Sequence, residues 1–395
     1  MKTEHQQLYT PTLFLALAYN FIVGLIFTNN AIYPLFIEHQ GGSATQIGLF
    51  MSTYAIAAVF GRPAVGLLID RFGVRPVLLL GSLLMGLPAL GYLTLLHDGL
   101  SPLVWLLRVL QGLGFGAHFS AFLTLAGRMA PSGRRNEAVA MYGITGLAAN
   151  LVGPLLGEQI VQFWGLPVFF IFIAICGLLA AGIATRFGSD DETATDSGGW
   201  RSVLLTIRAP ALRFPLILAL LLAISFTTAS GFLAPLASLR NINGFGLYFS
   251  GYAVAGIIIR LTGRRWADRF GWRRILIPMF ILYGAGLLTV YHSSDLGGLI
   301  LAGLLVGSAH GLAFPAVTAL GYNMAPEKGK GTAMALVTGM MDLGTFAAGI
   351  ILGQVAQYYG FAAVFLVATL APLCAVVLLV VHVIRQPQHL SRHMN

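Results

Sequence analysis

Few residues in this sequence can do chemistry, and they stand far apart inside long apolar runs. Asp342 lies within Val337-Thr-Gly-Met-Met-Asp-Leu-Gly-Thr345. Thr338 at i−4 and Thr345 at i+3 share its helical face, together with Gly349. A carboxylate away from water can exchange a proton, recognise a cation, or form a buried pair that holds helices together. Arg108, in Arg108-Val-Leu-Gln-Gly112, stays charged, so it needs a carboxylate, carbonyl oxygens or an anionic ligand. His118 and His310 each fall near the middle of an apolar run. They could face a cavity and pass a proton, or pack as satisfied core residues. Asn20, Asn30 and Thr228, with Phe232 nearby, suit a cavity for an amphipathic organic molecule, or bonding between helices. Metal ligation is not expected, because His, Cys and carboxylates do not cluster; Cys176 and Cys374 are read as neither bridged nor ligating. A nucleophile with its base is likewise missing, so an enzyme is not expected.

The elements that must position these residues follow from composition. Of 395 residues, 57% are hydrophobic and only 9% are charged, against roughly 25% in a soluble domain. That excludes a water-facing surface for most of the chain. Twelve apolar segments are expected as spans 1 to 12: 11–37, 45–69, 76–96, 102–128, 137–162, 165–185, 212–238, 245–266, 275–291, 296–323, 331–357 and 361–384. The first reads as a retained helix, since Met1–Thr10 lacks the pattern of a cleaved signal. The fold class is therefore an all-α polytopic membrane protein.

Charge sets the expected orientation. An even number of spans puts both termini on one side, and 19 of the 23 basic residues fall there, Arg71, Arg75, Arg186, Arg213 and Arg385 among them. The positive-inside rule then places both termini in the cytoplasm. The net charge of +9 is dispersed over short loops, so no nucleic-acid partner is expected. Arg62 and Arg260 lie eight residues, about 12 Å of helix, before Asp70 and Asp268. They could snorkel to the inner surface or touch a substrate. Glu38 and Glu158 lie near outer ends of spans and read as surface or gate residues.

The two halves repeat one another. Gly66-Leu-Leu-Ile-Asp-Arg-Phe-Gly-Val-Arg-Pro76 is echoed by Arg264-Arg-Trp-Ala-Asp-Arg-Phe-Gly-Trp-Arg-Arg274. Asp70 and Asp268 are 198 residues apart, as are Arg62 and Arg260. Gly153 and Gly157 recur as Gly349 and Gly353 at an offset of 196. The expected organisation is a six-helix bundle at 1–186, a polar linker at 187–211 and a second six-helix bundle at 212–395. Parallel six-span repeats imply pseudo-symmetric bundles facing one another across a cavity.

These residues carry a resemblance. The loop after span 2, with Gly66, Asp70, Arg71, Gly73 and Arg75, resembles the signature loop of the major facilitator superfamily. Arg108 to Gly112 resembles its span 4 signature, and Gly146, Gly153-Pro154 and Gly157 resemble a partial exporter signature in span 5. Among subfamilies the chain looks most like twelve-span bacterial exporters of drugs or small metabolites. The resemblance implies a secondary transporter of the bacterial cytoplasmic membrane, functional as a monomer, with a cavity bordered by spans 1, 4, 7 and 10. It implies no cofactor, a proton as coupling ion, and a small-molecule substrate moved by alternating access. Asp70 would pair with the start of span 11 as a latch with Arg71 and Arg75, and Asp268 with Arg269 would form the repeat copy. Gly153 and Pro154 would take part in gating, and Arg108 in proton coupling or substrate orientation. Proton-coupled export of an amphipathic compound is the favoured activity. Uptake of a small, carboxylate-bearing or metal-chelating metabolite by facilitation or symport is the alternative. A receptor or assembly partner that transports nothing is the reading from another class.

Overall fold

The computed structural model describes residues 10–97, 99–129, 135–188, 206, 208–263, 266–326 and 329–385. The expected linker at 187–211 falls largely outside them, as do the side chains of Asp268 and Arg269.

Apolar helices form here because lipid offers no partner for an open backbone, so each segment bonds to itself. Short polar residues set their starts. Thr10 caps Pro11–Thr28 through Leu13 N at 3.2 Å, and Asp295 caps Leu296–Asn323 through Gly298 N at 2.8 Å. Ser43 and Gln46 form a reciprocal capping box at the head of Ala44–Phe72. Glycines in the left-handed region make the tight reversals. Gly73 (φ 82°) ends span 2 and Gly271 (φ 76°) stands at its repeat position, 198 residues on. Gly165 (φ 80°) bends Arg135–Ala184 into spans 5 and 6, and Gly360 (φ 82°) divides span 11 from span 12 within Lys330–Ala368. A residue with a Cβ is strained at such angles.

The twelve helices form two pseudo-symmetric six-helix bundles. In the first, spans 1 and 5, 2 and 4, 3 and 4, and 3 and 6 pack together; in the second, 7 and 11, 8 and 10, 9 and 10, and 9 and 12 do. Small residues permit the close approach. A Cβ on Gly86 of span 3 would stand 2.6 Å from the Cα of Gly177 in span 6. The bundles meet chiefly along two seams, span 2 with span 11 and span 5 with span 8, with a smaller contact between the far part of span 1 and span 7. Below, the face at which Thr10 and Arg385 lie is the terminal face, and the opposite one is the far face.

Candidate functional site

The seams begin on the far face as a pair of matched contacts. Ser52 Oγ donates to the carbonyl of Phe346 at 2.7 Å, and Ser250 Oγ donates to that of Leu151 at 2.6 Å. Ser52 and Ser250 are 198 residues apart, as are Gly48 and Gly246, the glycines that let the helices touch. The second seam carries an extra charge. Glu158, buried at the far end of span 5, accepts from the amides of Gly244, Phe245 and Gly246 at 2.6, 3.1 and 2.7 Å. The first amides of a helix have no partner within it, and a carboxylate satisfies them with charge-assisted bonds. Glu158 thus faces span 8 and not an open surface, although its position in sequence left both options open.

Deeper in, an ion pair crosses between the bundles. Arg62 of span 2 donates to Asp342 Oδ2 of span 11 from Nε at 2.9 Å and again from Nη2. Its Nη1 lies 3.5 Å from Thr338 Oγ1, and its guanidinium sits over Phe119 at 5.3 Å. Arg62 therefore does not snorkel to the surface; the Asp342 carboxylate supplies the partner that water would otherwise have to. Of the options open for Asp342, pairing is the one observed. Thr345, on the same face, accepts a 2.9 Å bond from Thr227 of span 7. These bonds between the bundles lie at this level or nearer the far face. Residues 143–146 of span 5 and 338–342 of span 11 are half-exposed.

Arg108 is fully buried inside the first bundle. Its Nη1 donates to Asn30 Oδ1 at 2.7 Å and Gln111 Oε1 at 3.3 Å, and Nε reaches the carbonyl of Phe50 at 3.3 Å. The rings of Phe50, Tyr54 and Tyr33 lie 4.3, 4.5 and 5.0 Å from its guanidinium carbon. No carboxylate pairs with it among the described residues. Oxygen dipoles and ring faces hold the charge instead, an arrangement that stabilises a desolvated guanidinium.

The two histidines differ in exposure, His118 being buried and His310 half-exposed. His118 Nδ1 lies 3.2 Å from Tyr19 Oη, and its ring stacks on Phe122. His310 is ringed by Phe226, Tyr252, Tyr283 and Phe314. For His118 the core option is the one observed; His310 stays partly exposed, with its Nδ1 buried and without a hydrogen-bond partner among the described residues. Gly81 and Gly114 let span 3 close over span 4 at His118, which leaves the ring no outlet. Thr228 turns its hydroxyl onto the carbonyl of Ile224 in its own helix, and Phe232 is fully buried. Asn20 is half-exposed and donates to the carbonyl of Tyr142 at 3.0 Å and to Thr145 Oγ1 at 2.6 Å. Asn30 serves Arg108. Gly153 and Pro154 are buried, with Gly153 against Thr28 of span 1.

At the terminal face, Asp70 and Arg71 are exposed and Arg75 is half-exposed. Asp70 makes no ion pair among the described residues, so its expected bond to the start of span 11 is absent in this conformation. No group of three potential metal ligands occurs among the described residues. Sequence reasoning did not single out Ser52, Ser250, Gly48 and Gly246. Their common offset of 198 was the signal that could have found them.

A sequence-family model described as Major Facilitator Superfamily matches residues 15–259 and 216–393. The multidrug resistance protein MdtG of Yersinia enterocolitica is 28% identical over 364 residues, which cover 86% of this chain and 85% of that protein. The staphylopine export protein of Staphylococcus aureus is 23% identical over 380 residues, covering 92% and 94% respectively. Among solved structures, a mutant of the nucleoside transporter NupG superposes with a TM-score of 0.77 at 12% identity, over 94% of this chain and 99% of that one. A mutant of the peptide transporter POT gives 0.74 at 14% identity, over 95% and 94%. At such identities the structural likeness is one of fold.

Proposed function

The chain belongs to the Major Facilitator Superfamily, whose members are membrane transporters and not enzymes, and from that premise we propose that it exports a small amphipathic organic compound in exchange for protons. The observation that carries this reading is the Arg62–Asp342 pair, which bridges the bundles beside half-exposed faces of spans 5 and 11. A proton taken up by Asp342 would remove the negative partner of Arg62. Loss of that attraction loosens the seam between spans 2 and 11, so protonation and movement of the bundles become one event. The names of the multidrug and staphylopine relatives support export over uptake. In this reading the terminal face is cytoplasmic, the membrane is the bacterial inner membrane, and the conformation described is closed to the outside. Asp70 with Arg71 and Arg75, and their copies Asp268 and Arg269, would latch the cytoplasmic side when it closes. The transporter would work as a monomer without a bound cofactor.

The test uses the purified protein in proteoliposomes with an imposed pH gradient and a lipophilic dye of the kind drug exporters move. Wild-type protein should drive uphill dye transport that follows the gradient. Asp342→Asn keeps the shape but cannot exchange a proton, so uphill transport should fall at least tenfold while dye exchange without a gradient persists. Transport indifferent to the gradient, or unchanged by Asp342→Asn, would remove the proton-coupling claim.

A further inference from the structure

Arg62 and Arg260 occupy the same place in the two repeats, yet only one has a counter-charge. Arg62 is neutralised by Asp342 of span 11. The offset of 196 that relates Gly153 to Gly349 carries Asp342 back to Gly146 of span 5, so glycine stands where the second repeat has its carboxylate. Arg260 nonetheless reaches span 5: a Cβ on Gly143 would stand 2.9 Å from its Nη1. Gly143 and Gly146 lie on one helix face and are both half-exposed. A Cβ on Gly146 would meet nothing within 4 Å. Arg260 donates from Nε to the carbonyl of Gly311 at 3.2 Å. Among the described residues its Nη atoms have no hydrogen-bond partner and its guanidinium no ion pair.

An arginine within a membrane span does not lose its charge, and leaving it uncompensated there is costly. Arg108 shows how this protein stabilises a guanidinium that is purely structural, with oxygens and rings on several sides. Arg260 has one carbonyl, the neighbouring Tyr252 and an open space beside Gly146 instead. The Nη edge of a guanidinium is a planar fork whose geometry matches a carboxylate.

We propose that Arg260, facing Gly143 and Gly146 of span 5, is a binding subsite for a carboxylate group of the transported compound. The substrate supplies the negative charge that Asp342 supplies in the other seam, and its binding draws spans 5 and 8 together as Arg62–Asp342 draws spans 2 and 11. This deepens the transport reading and rests on it only in taking the ligand to be a small organic molecule.

The experiment measures binding to the detergent-solubilised full chain by thermal shift, with no proton gradient, using benzoate and its uncharged isostere benzamide. Benzoate should raise the midpoint of the wild-type protein by several degrees more than benzamide does. Arg260→Gln should erase the difference or raise the half-saturating benzoate concentration at least tenfold. Gly146→Asp leaves the arginine in place but installs the missing carboxylate in open space, so it too should erase the benzoate response. An equal response to benzoate and benzamide, including none, overturns the proposal. So does an undiminished benzoate response in Gly146→Asp, which decides the matter even where Arg260→Gln does not fold. Because no gradient enters this readout, failure of proton coupling and failure of this subsite are seen separately.

Discussion

At the scale of single residues, three intramembrane charges meet three different solutions. Arg108 is absorbed by dipoles and rings, Arg62 by a carboxylate, and Glu158 by the open amides of span 8. Asp342 and Arg108 were legible in the sequence because charge is rare in apolar runs. Whom they meet was not. The repeat relates span 2 to span 8 and span 5 to span 11, whereas the contacts run from 2 to 11 and from 5 to 8. An offset within one chain cannot show a contact between elements that do not correspond. The histidines illustrate a second limit. Their depth followed from position, but the rotation of a helix that is apolar on all sides leaves no sequence signal. Glu158 carries a prediction at this scale. Glu158→Gln keeps the size and one acceptor oxygen but loses the charge, and a hydrogen bond to a charged group contributes about 1.5–3 kcal/mol. A loss of about 2 kcal/mol changes an equilibrium roughly thirtyfold. Opening of the far face should rise by about that factor, measured as the labelling rate of a cysteine replacing Leu151. An unchanged rate would show that Glu158 is not part of the closure.

Among the elements, helix count and limits came through well, since length and apolarity are local properties. Spans 5 and 6 run on as one helix broken at Gly165, close to the boundary that the apolar segments 137–162 and 165–185 imply. Spans 11 and 12 divide likewise at Gly360. Packing within a bundle rests on small residues where helices cross. Gly86 and Gly177 meet with backbone against backbone, so a side chain on either must push span 3 from span 6. Overpacking of this kind costs typically 1–3 kcal/mol. Gly86→Val should therefore lower the thermal midpoint of the solubilised protein by several degrees. Gly182→Val, on a glycine with open space around it, should leave the midpoint nearly unchanged. Equal midpoints for the two variants would mean that span 3 does not depend on this contact.

At the scale of the whole molecule, the proposed mechanism requires the two seams to part. The first is held by the Ser52 hydroxyl and, inward of it, the Arg62–Asp342 pair, the second by the Ser250 hydroxyl and the Glu158 carboxylate. The bundles themselves are tied by helix packing along their length. Rigid bundles joined by a few polar contacts move as bodies about their interface, so access to the space between them should alternate. The proposed mechanism takes the contacts of the far face and the half-exposed residues 143–146 and 338–342 as one end of that motion. Single cysteines can follow it once Cys176 and Cys374 are replaced by serine. Gly146→Cys and Gly339→Cys have open space and sit on the half-exposed faces, so both should react with a membrane-impermeant maleimide added from the terminal side. Ser52→Cys and Ser250→Cys replace the hydroxyls of the closed seams and should be protected from the far side at rest. Conditions that drive transport should reverse the pattern, slowing the first pair and exposing the second. The two changes must occur together, because closing one end is what permits the other to open. Simultaneous reactivity from both sides, unaltered by a gradient, would describe a continuous pore, and the alternating mechanism would have to be abandoned.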